Sequence, residues 1–181
     1  MPAPRARTSA EAHLYMALNP CPSCGDEQFH CTVHTTLVDG DLLTRYTGPC
    51  RTCQAAREFS FDIEDTANEE GQEFGRDAPS TLIDAGQWLT CAERILAATP
   101  STVLGVPAEE WRARRFLFRA AAGSVGEVLK FIPDGADAVP AQAFWTDDGR
   151  AARDRSPERF RRAHLDRLRA ACQELVARYE D

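Results

Sequence analysis

The sequence predicts an α+β protein in which a three-stranded β module near the N-terminus is joined to an α-helical body. Three observations carry this. Two Cys-x-x-Cys pairs, Cys21/Cys24 and Cys50/Cys53, bracket a stretch of 25 residues. Inside and just after that bracket, apolar side chains alternate with polar ones, the period of a strand buried on one face. Beyond residue 80 the apolar residues recur every three or four positions, the period of a helix with one buried stripe. The boundaries that follow are 1–18 for an N-terminal helix, 19–64 for the β module, 65–79 for an acidic linker and 80–181 for the helical domain.

Composition narrows the function classes. At 181 residues with 43% hydrophobic content, the chain is long enough to bury a core and too apolar for wholesale disorder. Its longest apolar runs fall far short of a membrane span. The first twenty residues lack the continuous apolar stretch of a signal peptide, so a cytoplasmic protein is expected. The net charge is −7, and residues 1–90 hold 14 acids against 6 bases. That balance argues against general affinity for a phosphate backbone and suits a basic protein partner.

Taken in order, Thr8-Ser9-Ala10-Glu11 reads as a capping box, with Leu14, Tyr15 and Leu18 as the apolar stripe of a helix that ends at Pro20. Phe29, Cys31, Val33, Thr35 and Leu37 then alternate with His30, Thr32, His34 and Thr36, which predicts a half-buried strand. Asp39-Gly40 supplies a hairpin turn, Leu42 to Tyr46 returns, and Phe59, Phe61 and Ile63 mark a third strand.

Each Cys-x-x-Cys can sit on one tight knuckle, and Gly25 supplies the permissive backbone such a turn needs. Four thiolates, Cys21, Cys24, Cys50 and Cys53, describe a closed tetrahedral site for one structural Zn2+ ion, with no position left for water or substrate. With no secretory signal, disulfides among the seven cysteines are not expected. Two knuckles bridged by a hairpin, with one further strand, resemble the zinc-ribbon family over residues 19–64. The resemblance implies those four cysteines as ligands and chooses no function, because the family spans transcription proteins, enzyme appendages and protein-binding adapters. Cys31 reads as a small buried hydrophobe, and His30 and His34 as solvent-facing; Cys91 and Cys172 fall in helical patterns and pack.

The helical body starts with Leu82, Ala85, Leu89, Ala92 and Leu96, with Trp88 and Ile95 alongside, and stops at Pro100. A second helix opens near Pro107, carries Trp111, Phe116, Leu117 and Ala120, and is bent or split at Gly123 and Gly126. Pro133 to Arg155 reads as a long loop. The last helix opens with Ser156 as N-cap and Pro157 as its first residue, burying Phe160, Leu165, Leu168, Cys172, Leu175, Val176 and Tyr179.

The chain has no phosphate-binding loop, no nucleophile elbow and no His-Glu-x-x-His motif, so no catalytic residues and no small-molecule substrate are expected. The reading is a non-enzymatic, zinc-stabilised protein-binding module, of the inhibitor or immunity type that neutralises a toxin or enzyme. Candidate partner-binding residues are Glu69, Glu70, Glu73 and Asp77 in the acidic linker, and Phe144 and Trp145 in the long loop, where they either anchor a partner or fold back on the helical core. The alternative is a nucleic-acid-linked regulator using Arg45, Arg51 and Arg57 on the β module and the arginine-rich side of the last helix.

Overall fold

In the computed structural model, which describes residues 3–38, 41–64, 74–102 and 105–179, the chain divides into two units, Met1–Arg76 and Asp77–Asp181. The first is mixed α and β: β1 (Arg5–Ala6), α1 (Ser9–Leu18), β2 (Thr32–Val38), β3 (Asp41–Pro49) and β4 (Ala56–Ile63). Its sheet has four strands in the order β1-β4-β3-β2, not three. The added strand is two residues long and pairs parallel with β4, Arg5 beside Asp62 and Ala6 beside Ile63. Two residues show no periodicity, so only the register reveals them.

The Thr8 hydroxyl accepts from the Glu11 N–H at 3.1 Å, as a capping box requires. Glu11 is fully buried, and its carboxylate reaches Arg7. It accepts the Arg7 N–H at 2.7 Å and pairs with the Arg7 guanidinium. The helix buries Ala12 and Met16 rather than centring on Leu14 and Leu18. Tyr15 meets Phe59 and Phe61 edge-on, and Tyr46, Phe61, Ile63 and Ala6 complete the small core.

Two expectations for this unit need correction. The first strand begins at Thr32, and every residue of β2 is exposed, so it is not half-buried. Its alternation is intact: Val33, Thr35 and Leu37 stand opposite Tyr46, Thr44 and Leu42. Tyr46 and Thr44 are buried while Val33, Leu37 and Leu42 remain exposed, so cover over this face stops at β3. The Asp39-Gly40 turn lies outside the described residues.

Arg57, which reads as a surface cation, is inside. It donates to the Asn19 and Gln28 carbonyls at 2.6 and 3.1 Å, and its guanidinium lies 4.6 Å from the centre of the Phe29 ring. One side chain thus holds the carboxyl end of α1, where the helix dipole favours a cation, to the chain entering β2. Arg57→Met is expected to lower stability by about 2 kcal/mol, because two part-buried carbonyls lose a charged donor. A urea melt of metal-loaded protein checks this.

The second unit is all-helical among the described residues: α2 (Ala85–Ala98), α3 (Ala108–Lys130), α4 (Asp147–Arg155) and α5 (Arg162–Ala177), with 3-10 turns at Ala141–Ala143 and Pro157–Phe160. The long helix α3 packs on both α2 and α5, and α4 packs on α2. Trp88, Leu89, Phe118, Val125, Val128, Phe160, Leu165 and Cys172 fill the interior. α3 is continuous through Gly123 and Gly126, rather than split. The expected long loop contains α4, which Thr146 caps by accepting the Gly149 N–H at 3.0 Å. The last helix starts at Arg162, because Pro157–Phe160 forms a 3-10 turn and Arg161 pairs with Ala138 in an isolated bridge. Arg162 itself reaches back to the Ala136 and Ile132 carbonyls just past α3. No helix of the described residues is long and apolar enough to cross a membrane.

Candidate metal centre

The two knuckles are built alike. In the first, the Cys21 N–H donates to the Asp26 carbonyl at 2.9 Å and the Gly25 N–H to the Cys21 carbonyl at 2.8 Å. In the second, the Cys50 N–H donates to the Ala55 carbonyl at 2.8 Å and the Gln54 N–H to the Cys50 carbonyl at 2.9 Å. Each turn needs a left-handed residue four places after its first cysteine. Gly25 provides it at φ 76°, whereas Gln54 is held there at φ 62° with its side-chain amide donating to the Arg51 carbonyl. A side chain in that region costs about 1 kcal/mol. Gln54→Gly is therefore expected to stabilise the metal-loaded protein by about 0.5–1 kcal/mol, read as a higher denaturation midpoint.

The knuckles bring all four sulfurs within 4.8 Å of one another. Cys21 meets Cys53, and Cys24 meets Cys50, each at 3.6 Å across the two turns. A disulfide requires about 2.05 Å, whereas a tetrahedron with metal–sulfur bonds of about 2.3 Å has edges of about 3.8 Å. All seven cysteines are free. The quartet therefore has the dimensions of a tetrahedral metal site and not of a disulfide pair. Cys21 and Cys50 are buried, and Cys24 and Cys53 are exposed.

The electrostatics agree. The Ser23 N–H aimed at its sulfur draws the Cys21 thiol down to about 6. At Cys24 the Asp26 N–H pulls in the same direction, but desolvation and the three neighbouring sulfurs outweigh it and push that thiol up to about 12. Cys53 is also raised, against the lowering by the Ala55 N–H. Four thiolates this close cannot all carry charge without a cation among them. Metal binding, which requires deprotonated sulfur, resolves the conflict.

Asp26 joins the two turns and is a residue the spacing argument passes over. Its carboxylate accepts the Thr52 hydroxyl at 2.8 Å and the Gln28 N–H at 3.0 Å, and lies 3.6 Å from the Cys50 sulfur. The Thr52 hydrogen bond first, then the Gln28 N–H, hold its carboxyl below the usual range. The signal available in the sequence was its place, directly after Gly25 on the first knuckle.

The other sequence candidates lie elsewhere. Cys31 is half-buried outside the quartet, its thiol raised by burial. His30 is hydrogen-bonded to Arg51 at 3.2 Å, and His34 stands opposite Arg45 in the sheet. Among the described residues, the groups of side chains that could hold a metal ion consist of Cys21, Cys24, Cys50 and Cys53. Cys91 and Cys172 sit in the helical unit, where burial raises both thiols, Cys172 to about 11. Glu69, Glu70 and Glu73 lie outside the described residues, and Asp77 is exposed. Phe144 is buried edge-on against Phe160, while Trp145 keeps 39% of its surface in solvent beside Phe131.

No protein-family model, curated protein or solved structure matches this chain.

Proposed function

We propose that the chain is a non-enzymatic protein-binding module whose N-terminal unit is stapled by one structural zinc ion in a zinc-ribbon-like site. Paired knuckles and an all-sulfur tetrahedral donor set support zinc, because soft thiolates in that geometry select it and leave no position for a reacting water. Within this class the role is that of an inhibitor or immunity-type protein that occupies a toxin or enzyme.

One observation carries the binding role. Phe116 stands 68% exposed on the rigid 23-residue α3, with exposed Leu117 and Ala113 beside it at helical spacing. A large aromatic held in water on a fixed element is the kind of anchor that dominates interface energies. The net charge of −7 favours encounter with a basic partner. The burial of Arg57 against carbonyls removes one cation on which a phosphate-binding reading would draw.

The test compares wild type with Phe116→Glu, both metal-loaded, as baits in an extract of the native host. Wild type is expected to retain a protein in stoichiometric amount, with affinity falling at least about tenfold in the variant. Retention of DNA or RNA instead, lost steeply as salt rises, would overturn the reading in favour of a nucleic-acid regulator.

A further inference from the structure

Strand β2 closes one side of the sheet, and its outer edge has no neighbour among the described strands. Its seven residues, Thr-Val-His-Thr-Thr-Leu-Val, are all exposed, and their register against β3 runs unbroken from Thr32 opposite Thr47 to Val38 opposite Asp41. The edge carries none of the usual devices against pairing: it has no proline, no lysine, no carboxylate and no bulge. It also leaves Val33 at 49% and Leu37 at 71% exposure on the face shared with Leu42. Other edges are protected by brevity, as β1 is with two residues.

Val33 and Leu37 stand two places to either side of Thr35, with the polar His34 and Thr36 between, and that disposition points to a second copy of the strand as its occupant. In an antiparallel pair of two copies centred there, Val33 of each faces Leu37 of the other, Thr32 faces Val38, and His34 faces Thr36. A two-fold interface must be complementary to itself, and this register places apolar against apolar on one face with no like charges opposed. The ends are complementary as well. Before Thr32 stand His30 and Arg51, hydrogen-bonded at 3.2 Å, and after Val38 the chain continues into Asp39-Gly40-Asp41. Antiparallel pairing brings the Val38 end of each strand, against which Asp41 lies in register, past the Thr32 end of the other.

We propose that two copies of this chain associate through β2, centred on Thr35, to make one continuous eight-stranded sheet. A seven-residue strand is about 23 Å long, so the contact is modest and the association reversible. It uses none of the four cysteines of the metal site and no residue of the Phe116 stripe.

The experiment is sedimentation velocity on the metal-loaded chain over a wide concentration range, with Thr35→Lys, Thr35→Glu and their equimolar mixture. Wild type is expected to shift from the monomer to the dimer mass as concentration rises. Each variant alone places like charges against each other at the axis and is expected to stay monomeric. The mixture opposes Lys to Glu and is expected to recover the dimer. Thr35 is exposed and its side chain makes one hydrogen bond, to the Thr44 hydroxyl at 3.2 Å, so both variants should keep wild-type circular dichroism and metal content. Should either misfold, Val33→Lys mixed with Leu37→Glu tests the same register, because those positions face each other across the axis. A wild type that remains monomeric at all concentrations, variants that still dimerise, or mixtures that fail to restore the dimer would each overturn the proposal.

Discussion

Removal of the metal is expected to unfold the N-terminal unit while α2 to α5 keep their structure. The first unit has a small core, in which Ala6, Ala12, Met16, Tyr46, Phe61 and Ile63 are the main buried apolar side chains besides Cys21 and Cys50. One of its four strands is wholly exposed. A core of that size does not offset the conformational entropy of ordering the chain, and small metal-bound modules fold only with their ion. The binding free energy of a structural zinc ion, on the order of 10 kcal/mol, is then folding free energy. The second unit buries Trp88, Phe118, Phe160 and their neighbours and contains no knuckle. Hydrogen exchange read by mass spectrometry, with and without a strong chelator, checks this. Protection is expected to vanish across 41–63, persist across 108–130, and return when zinc is restored. Cys50→Ser should reproduce the chelated state. Acid acts in the same direction, because protons compete with the metal for sulfur: affinity falls as pH drops.

The second large effect is expected at Asp84, in the helical unit. Asp84 is fully buried and caps α2 by accepting the Gln87 N–H at 2.9 Å, while the Gln87 side chain returns to the Asp84 N–H. Its other carboxylate oxygen accepts both the N–H and the hydroxyl of Thr146, the cap of α4, at 2.8 and 2.6 Å. One carboxylate thus serves the positive ends of two helices. The approach is possible because Gly86 and Gly149 lie backbone to backbone, and a Cβ on Gly149 would run into the Asp84 carboxylate. Asp84→Ala removes the shared acceptor of three part-buried donors and is expected to cost about 3 kcal/mol. Asp84→Asn preserves volume but turns an amide N–H toward donors, so it should recover less than half of the loss. Gly149→Ala, which removes no hydrogen-bonding group, should destabilise through the clash alone. Thermal melts of the three variants check the ordering, and an unchanged melting temperature for Asp84→Ala would refute the shared-cap role.

How much of this was legible in the sequence depends on how locally each feature is encoded. The knuckles are short turns whose cysteine spacing is the geometry itself, so Cys21, Cys24, Cys50 and Cys53 could be read directly. Strong apolar stripes placed α2 and most of α3 and α5. By contrast, α4 reads Asp-Asp-Gly-Arg-Ala-Ala-Arg-Asp-Arg and buries only Gly149 and Ala152, so no hydrophobic period marks it. Its cue was Thr146 followed by two acids, a capping signal with no stripe behind it. Alternation in β2 identified which residues share a face, but what covers that face depends on the reach of α1 and the sheet order. Arg57 and Glu11 look like surface charges because burial of either depends on partners far away in sequence or on backbone groups. Gln54 gave no sign of a left-handed backbone, since glycine, its usual mark, is missing there.

X-ray absorption at the metal edge of the purified chain bears most directly on the metal centre. The account predicts one zinc per chain with four sulfur neighbours at about 2.3 Å and no oxygen or nitrogen in the inner sphere. Substoichiometric metal, a shell containing a light-atom ligand, or a quartet oxidised to disulfides in the native protein would contradict it.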